Sequence, residues 1–178
     1  MATGLGVAGC GGGDNNQEEA ARFGYGVASG DPLSDRVIIW TKANVSTPAN
    51  VQWEVATDNT FAKIVNSGTA VAAPAQNFTV KVDVTGLLPG TQYCYRFRHE
   101  GQVSETGITR TLPVGDVSQV KLGVFSCAAY AIGQFHAYSD AVGRGEIQFA
   151  LHLGDYIYEN GINQVEQGVA TLLGRKLE

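Results

Sequence analysis

The stretch Leu87-Leu-Pro-Gly-Thr-Gln-Tyr-Cys-Tyr-Arg-Phe97 does most to decide the fold of the amino-terminal part of the chain. Its Pro-Gly pair marks a turn, and aromatic residues then occupy every second position, which is the pattern of a β-strand with one buried face. Tyr93, Tyr95 and Phe97 are therefore predicted to face a core. Cys94 is predicted to lie on the opposite face as a structural residue.

Further short strands are predicted on both sides of this stretch, throughout residues 23–112. The segments with a strand pattern are residues 36–41, 51–55 and 78–84, separated by turns rich in Gly, Pro and Asp. Strands at this spacing predict a β-sandwich. The turn before Tyr93 resembles the tyrosine corner of fibronectin type III and immunoglobulin-like domains, in which the Tyr hydroxyl bonds to the backbone.

Beyond Pro113 the pattern changes to that of an α/β unit. Residues 120–126 form a nearly continuous apolar run, typical of a strand buried on both faces. Residues 134–142 carry apolar side chains at helical spacing, with Gly143 as the predicted stop, and residues 147–153 are again strand-like. The predicted fold class is α+β with more than one domain: the sandwich, then the first β-α-β unit of an α/β domain.

Side chains able to bind metal follow both predicted strands of this unit. Cys127 comes after the first strand, and Asp155 and Tyr158 come after the second. Since ligands gather at the carboxyl ends of strands in α/β sheets, these three residues are predicted to meet around a metal ion. A carboxylate suits hard divalent ions, whereas a thiolate and a phenolate suit a more highly charged transition metal. The alternative is a turn aspartate and a buried cysteine, and spacing alone favours it.

Three motifs resemble the PhoD-like alkaline phosphatase/phosphodiesterase family of the calcineurin-like metallophosphoesterases. They are Phe23-Gly-Tyr-Gly-Val-Ala-Ser-Gly-Asp-Pro32 with Val37-Ile-Ile-Trp40, then Phe125-Ser-Cys127, then His152-Leu-Gly-Asp-Tyr-Ile-Tyr-Glu159. The resemblance covers about residues 23–160, and the last motif is quite specific.

The resemblance implies a site that combines iron with calcium and hydrolyses phosphate monoesters and diesters by a two-metal-type mechanism. By position, Cys127 and Tyr158 become metal ligands, and Asp155 becomes both the bridging ligand and the catalytic residue. Other divalent metals remain an alternative. The pair Ala128-Ala129 departs from the family, which commonly has polar residues there.

The resemblance also implies that the site is incomplete within this chain. The family's remaining ligands correspond to positions beyond residue 178, so the 178-residue chain is expected to be inactive by itself. Its three histidines, His99, His136 and His152, match no ligand position and are interpreted as structural. Two alternatives to an enzyme are a β-sandwich that acts as a binding or packing module and a naturally truncated, non-catalytic product.

Residues 1–22 are predicted to be a lipoprotein-signal remnant followed by a polar tether. Val7-Ala-Gly-Cys10 fits a bacterial lipobox in which Cys10 receives the lipid, and residues 14–19 are polar. A signal of this kind should begin with a basic segment, and this stretch has none. The alternative is therefore a Gly-rich terminus with an incidental cysteine. The predicted location is outside the cytoplasm, periplasmic or at the cell surface, with a lipid anchor. The domains that follow are predicted at 23–113 and, incomplete, at 114–178.

Composition excludes several other classes of protein. Of the 178 residues, 44% are hydrophobic and 16% are charged, which suffices for a packed core. The net charge of −5 argues against a nucleic-acid binder, since phosphate backbones are bound by clustered Lys and Arg. No stretch approaches the ~20 apolar residues that a membrane-spanning helix needs. Three cysteines give no disulfide framework, and no protein partner is predicted.

Overall fold

A computed structural model describes residues 22–129, 135–156 and 158. The predicted lipobox with Cys10, the polar tether and Glu159 lie outside the described residues. The chain divides into two compact units, one that ends at Pro113 and one that begins at Val114. Among the described residues, no helix is both long and apolar enough to cross a membrane.

The first unit consists of two antiparallel sheets. In the three-stranded sheet, the order is β1 (Val27–Gly30), β2 (Arg36–Lys42) and β5 (Thr79–Thr85). In the five-stranded sheet, the order is β4 (Ile64–Ala72), β3 (Ala49–Ala56), β6 (Gln92–His99) and β7 (Gln102–Val103), with β8 (Gly107–Arg110) also paired to β6. A short 3-10 helix, Pro74–Gln76, precedes β5.

The two sheets bury one shared hydrophobic core, which confirms the predicted β-sandwich. Tyr93, Tyr95 and Phe97 are at most 2% exposed, as their alternation predicted. Burial of a large apolar side chain stabilises a fold by ~1.5–3 kcal/mol, so these residues are major contributors. The other core residues are Phe23, Val37, Ile39, Ala43, Val51, Trp53, Val55, Ala72, Val80, Val84 and Leu87.

The turn before β6 is closed by the contact that the sequence predicted. The Tyr93 hydroxyl accepts a hydrogen bond from the Leu88 N–H at 2.8 Å. The fully buried Thr111 hydroxyl donates to the Leu88 carbonyl at 2.6 Å and accepts from the Thr91 N–H at 3.0 Å. The turn is therefore held to β6 through Tyr93 and to the residue after β8 through Thr111.

Cys94 lies on the opposite face of β6 from Tyr93 and Tyr95, as predicted. It packs with Ala56 and Phe61 in a second, smaller apolar cluster. Loss of water contact raises the pKa of its thiol, and the thiol is free. This environment is that of a small buried apolar residue.

The strands predicted from alternation match β2, β3, β5 and β6 to within two residues at each end. Strand β4 was missed because it has few large side chains and a glycine at its centre. Gly68 pairs with Trp53, and a Cβ at Gly68 would lie 2.7 Å from the indole ring. The glycine therefore admits the indole across the strand, and the usual strand pattern is lost.

The second unit contains a parallel strand pair, β9 (Leu122–Phe125) and β10 (Phe149–His152), with helix α1 (His136–Arg144) between them in the chain. This order matches the predicted strand, helix and strand. The helix stop was predicted two residues too early, at Gly143. Gly145 is the residue with the left-handed φ of 63°, and its N–H donates to the Val142 carbonyl at 3.1 Å.

The prediction that the first of these strands is buried on both faces was wrong for the described residues. Leu122 is 54% exposed and Val124 is 56% exposed, and only Gly123 in β9 is buried. Within the described residues β9 and β10 pair only with each other, so this sheet has just two strands, and the side chains of Leu122 and Val124 stay exposed. An apolar run predicts burial only when other elements supply the covering.

Candidate metal centre

Two loops meet at the carboxyl ends of β9 and β10. Because the strands are parallel, the loops that follow β9 and β10 leave the sheet at the same edge. The Cys127 N–H donates to the Gly154 carbonyl, and the Ala128 N–H donates to the Asp155 carbonyl, both at 3.2 Å. Backbone hydrogen bonds thus hold the loop that carries Cys127 against the loop that carries Asp155.

Two of the three candidate ligands, Cys127 and Asp155, have a backbone conformation that non-glycine residues rarely adopt. The φ angle is 56° at Cys127 and 52° at Asp155. A left-handed non-glycine residue costs ~1–3 kcal/mol and persists only where the surroundings impose it, which is a frequent property of functional sites. Two such residues in facing loops mark this edge of the sheet as a candidate site.

The side chains of the predicted ligands are brought together. The Cys127 thiol donates to Asp155 Oδ2 at 3.4 Å, and the Ser126 hydroxyl donates to Cys127 Sγ at 3.2 Å. The pKa of the Tyr158 hydroxyl is raised to about 12, first by its hydrogen bond with the Cys127 side chain, then by loss of water contact and by the charge of Asp155. The Tyr158 hydroxyl therefore lies beside both groups.

These donors are of a kind that fits a metal ion. Cys127 is exposed and Tyr158 is 41% exposed, so an ion from solvent can reach them. No group of three His, Cys, Asp or Glu side chains suited to a metal occurs in the described part of the chain, and the third predicted donor beside Cys127 and Asp155 is Tyr158. A thiolate, a phenolate and a carboxylate form a set that suits a transition metal. Their role as ligands stays a prediction.

None of the three predicted ligands is a histidine. His136 is exposed on α1, and His99 belongs to the first unit, where its Nδ1 donates to the Asn50 carbonyl at 2.9 Å. His152 directs its ring to α1 and to the backbone of Gly154, as described below.

Three residues beside the site were not predicted from the sequence to support the metal ligands. Ser126 contacts Cys127, while His152 and Tyr138 contact each other behind the loop. For Ser126, the adjacency to Cys127 is a usable signal. For His152, the signal is its position two residues before Gly154, a spacing at which a side-chain acceptor can reach a backbone N–H.

Comparison with known proteins gives consistent matches over both units. A family model for the PhoD-like phosphatase N-terminal domain matches residues 9–113, and one for PhoD-like phosphatase matches residues 122–178. The chain is 41% identical over 154 residues to alkaline phosphatase D of Bacillus subtilis (strain 168), a match that covers 80% of this chain and 26% of that protein. A solved structure of PhoD aligns with a TM-score of 0.75 at 38% identity, over 80% of this chain and 29% of that one. The chain thus spans less than a third of either relative.

Proposed function

The chain belongs to the PhoD-like phosphatase family, and from this premise we propose that it is the amino-terminal part of an exported, metal-dependent phosphatase or phosphodiesterase. The proposed substrates are phosphate monoesters and diesters. The observation that carries the proposal is the meeting of Cys127 Sγ and Asp155 Oδ2, 3.4 Å apart where two parallel strands end, with Tyr158 beside both.

We propose that Cys127, Asp155 and Tyr158 hold iron, and that Asp155 also contacts a calcium ion. Other divalent metals are the alternative. Asp155 suits the shared position because a carboxylate offers two oxygens, whereas the thiolate of Cys127 is a softer donor that selects a transition metal. Once bound, a pair of metals activates water and stabilises charge on the transferring phosphoryl group.

The residues of the chain itself place these donors. The hydrogen bonds from Cys127 and Ala128 to the opposite loop hold the two loops side by side, which brings the donor side chains to the same edge of the sheet. The Ser126 hydroxyl donates to Cys127 Sγ at 3.2 Å, which restrains the position of the sulfur.

We propose that the 178-residue chain alone does not turn over substrate. A two-metal centre requires more donors than the three that the described residues bring together. Since the chain spans less than a third of its relatives, the remaining donors are proposed to come from residues that follow position 178.

The proposal extends to the two units and to the location. We propose that the first unit is a fibronectin III-like domain, supported by the hydrogen bond between Tyr93 and Leu88, and that the second begins an α/β metallophosphoesterase domain, supported by its parallel strands. Export with a lipid on Cys10 is proposed from the sequence around it. Release of the protein from membranes by Cys10→Ala is the corresponding test.

A non-catalytic module remains the second candidate function. The closed sandwich would serve it equally well, but the match of the family to residues 122–178 favours the enzyme. The reading frame beyond codon 178 discriminates between them. A continuous frame rich in His and Asp supports the enzyme, and an in-frame stop supports the non-catalytic product.

The proposed enzyme is tested by Asp155→Asn in the longer protein, with Asp116→Asn, an exposed position of the same unit, as the matched control. Substitution of a residue that only supports a metal ligand typically lowers metal affinity or activity 10–100-fold. Loss of a ligand shared by both metals is therefore expected to lower turnover of p-nitrophenyl phosphate esters by more than about a hundredfold. Metal content should fall in parallel, and the control should match the wild type in both measurements. Full turnover in Asp155→Asn would contradict the assignment.

A further inference from the structure

A single imidazole lies between helix α1 and the loop that carries Asp155. His152, the last residue of β10, is half-buried. Its Nε2 is 3.0 Å from the Tyr138 hydroxyl, and its Nδ1 accepts a hydrogen bond from the Gly154 N–H at 3.3 Å. Both ring nitrogens are therefore engaged by groups of this unit.

These contacts determine the form of the ring. A nitrogen that accepts a hydrogen bond from a backbone N–H carries no proton, so the proton of the neutral ring lies on Nε2. The Nε2–H then donates to the Tyr138 hydroxyl oxygen. With both nitrogens occupied, the neutral imidazole of His152 has no free lone pair for a metal ion.

Rings on both sides restrict the position of the imidazole. The Tyr138 ring packs edge-on against Phe125, the last residue of β9, with centroids 4.9 Å apart. On the other side, Tyr156 packs against the His152 ring, also edge-on at 4.9 Å. Edge-to-face pairs of this kind add stability beyond simple burial. The imidazole is thus tied to the ends of both strands.

The backbone of Gly154 links this imidazole to the candidate metal centre. The Gly154 N–H, in the peptide that follows Leu153, is held by His152, and the Gly154 carbonyl, in the peptide that precedes Asp155, accepts from the Cys127 N–H at 3.2 Å. Gly154 has a φ of 128°, a conformation that L side chains rarely adopt, and the next residue, Asp155, is left-handed. Gly154 has no side chain to restrict its backbone, so the hydrogen bonds of its N–H and its carbonyl determine the backbone orientation.

We propose that His152 is a positioning residue for the metal centre, on the basis of the proposed function. Its imidazole holds the Gly154 N–H, and by restraining the backbone of Gly154 it sets the separation of Cys127 and Asp155. Tyr138 restrains the ring at its other nitrogen. This arrangement resembles the outer partners of other metal sites, which orient ligands without touching the ion.

The test compares three substitutions in the longer protein. His152→Leu removes both hydrogen bonds and keeps an apolar side chain. His152→Asn keeps an acceptor two residues before the Gly154 N–H, the spacing at which Asn side chains close turns. Tyr138→Phe removes only the hydroxyl that contacts His152 Nε2. His136→Leu, on an exposed histidine of the same helix, is the control.

The main measurement is the affinity of each apo-protein for Co²⁺, followed through the thiolate absorption of the complex, beside its melting temperature. We expect Kd to rise about 10–100-fold in His152→Leu, and by less than about tenfold in His152→Asn and Tyr138→Phe. The control should match the wild type. Recovery by Asn separates positioning of the peptide from a general loss of stability.

A second measurement is independent of any metal. Long-range ¹H–¹⁵N spectra of the labelled apo-protein should show His152 protonated at Nε2 and not at Nδ1. Exchange of the Gly154 amide proton should accelerate in His152→Leu and stay slow in His152→Asn.

The outcomes separate the two proposals. Wild-type protein that binds no metal overturns the proposed function, whatever form the ring takes. If the wild type binds Co²⁺, then equal affinity in His152→Leu, equal losses in the Leu and Asn variants, or a proton on Nδ1 would each overturn the positioning role alone. Weaker binding in His152→Leu with recovery in His152→Asn supports it.

Discussion

The two units of the chain differ in how far their apolar strand residues are exposed to solvent. In the sandwich, Tyr95 and Phe97 are 2% and 0% exposed, and two sheets enclose them. In the second unit, Leu122 and Val124 are more than half exposed, although the sequence there is just as apolar. The difference lies in the number of strands that are present to cover them. A closed set of strands can be stable alone, whereas a two-stranded pair is marginal at best.

The candidate metal centre lies on the less enclosed of the two units. Cys127 and Asp155 are held by a few backbone hydrogen bonds at the end of a strand pair, and both have left-handed backbones. Such a loop arrangement depends on what surrounds it. Order at the site is therefore expected to increase when metal binds and when further chain packs against β9 and β10, as is usual where binding and folding are coupled.

Separation of the units tests this comparison and carries the largest expected effect. We expect residues 23–113 to give a dispersed ¹H–¹⁵N spectrum and one cooperative thermal transition, because their core is closed. Residues 114–178 alone should give neither, since their strand pair leaves its apolar side chains exposed. A collapsed spectrum for 23–113, or a dispersed one for 114–178, would reverse the comparison.

A substitution within the sandwich is expected to have the next largest effect. Gly107 pairs with Tyr95, and a Cβ at Gly107 would lie 2.2 Å from a ring carbon of that buried tyrosine. Gly107→Val should therefore lower the unfolding free energy by about 3 kcal/mol through overpacking. Gly30→Val is the control, because nothing lies within 4 Å of a Cβ there, and it should change stability by less than about 1 kcal/mol. Denaturant unfolding measures both, and equal effects would refute the steric argument.

The same contrast explains how far the sequence could predict the structure. Alternation identified β2, β3, β5 and β6 because each has one face in the core. It missed β4, where Gly68 replaces a large side chain opposite Trp53, and it missed the short strands β1, β7 and β8. In the second unit, apolar runs and helical spacing identified the strands and the helix but not the exposure of the strands, since burial depends on which other elements pack against them.

For the candidate site, the order of strands and loops indicated that Cys127, Asp155 and Tyr158 could meet, although only the family resemblance favoured a metal site over a turn aspartate and a buried cysteine. The parallel pairing of β9 and β10 places their carboxyl ends side by side. The left-handed backbones and the contact of His152 with Tyr138 could not be predicted, because they depend on how α1 packs against the strands. One-dimensional spacing contains no information on such packing.

A smaller effect is expected from the turn that leads into β6. Tyr93→Phe keeps the buried ring but removes the hydroxyl that accepts from the Leu88 N–H. The loss should lower the unfolding free energy by about 1–2 kcal/mol, as for other buried hydrogen bonds. Tyr25→Phe, on a tyrosine that is 68% exposed, is the control. If both variants melt at the wild-type temperature, the turn contributes little to closure of the sandwich.

The smallest expected effect is a pH dependence that also belongs to the sandwich. The pKa of Asp58 is lowered from 3.8 to about 2, first by the hydrogen bond from the Thr60 hydroxyl, then by the N–H groups of Ala62, Lys63 and Thr60. Because the folded pKa is the lower one, the stabilisation is complete above the unfolded value of 3.8 and is lost as the pH falls towards 2. Asp58→Asn should therefore lower the melting temperature at pH 6, and the difference from wild type should shrink between pH 4 and pH 2.

The pH dependence from Asp58 is expected to come from the first unit alone. Asp58 closes the loop between β3 and β4, wholly within the first unit, so the pH-dependent difference should be the same in residues 23–113 alone and in the full chain. Asp31→Asn serves as the control, since the Asp31 side chain has no hydrogen-bond partner among the described residues. A difference seen only in the full chain would show that the sandwich depends on the second unit, and it would end the view of the first unit as a self-contained fold.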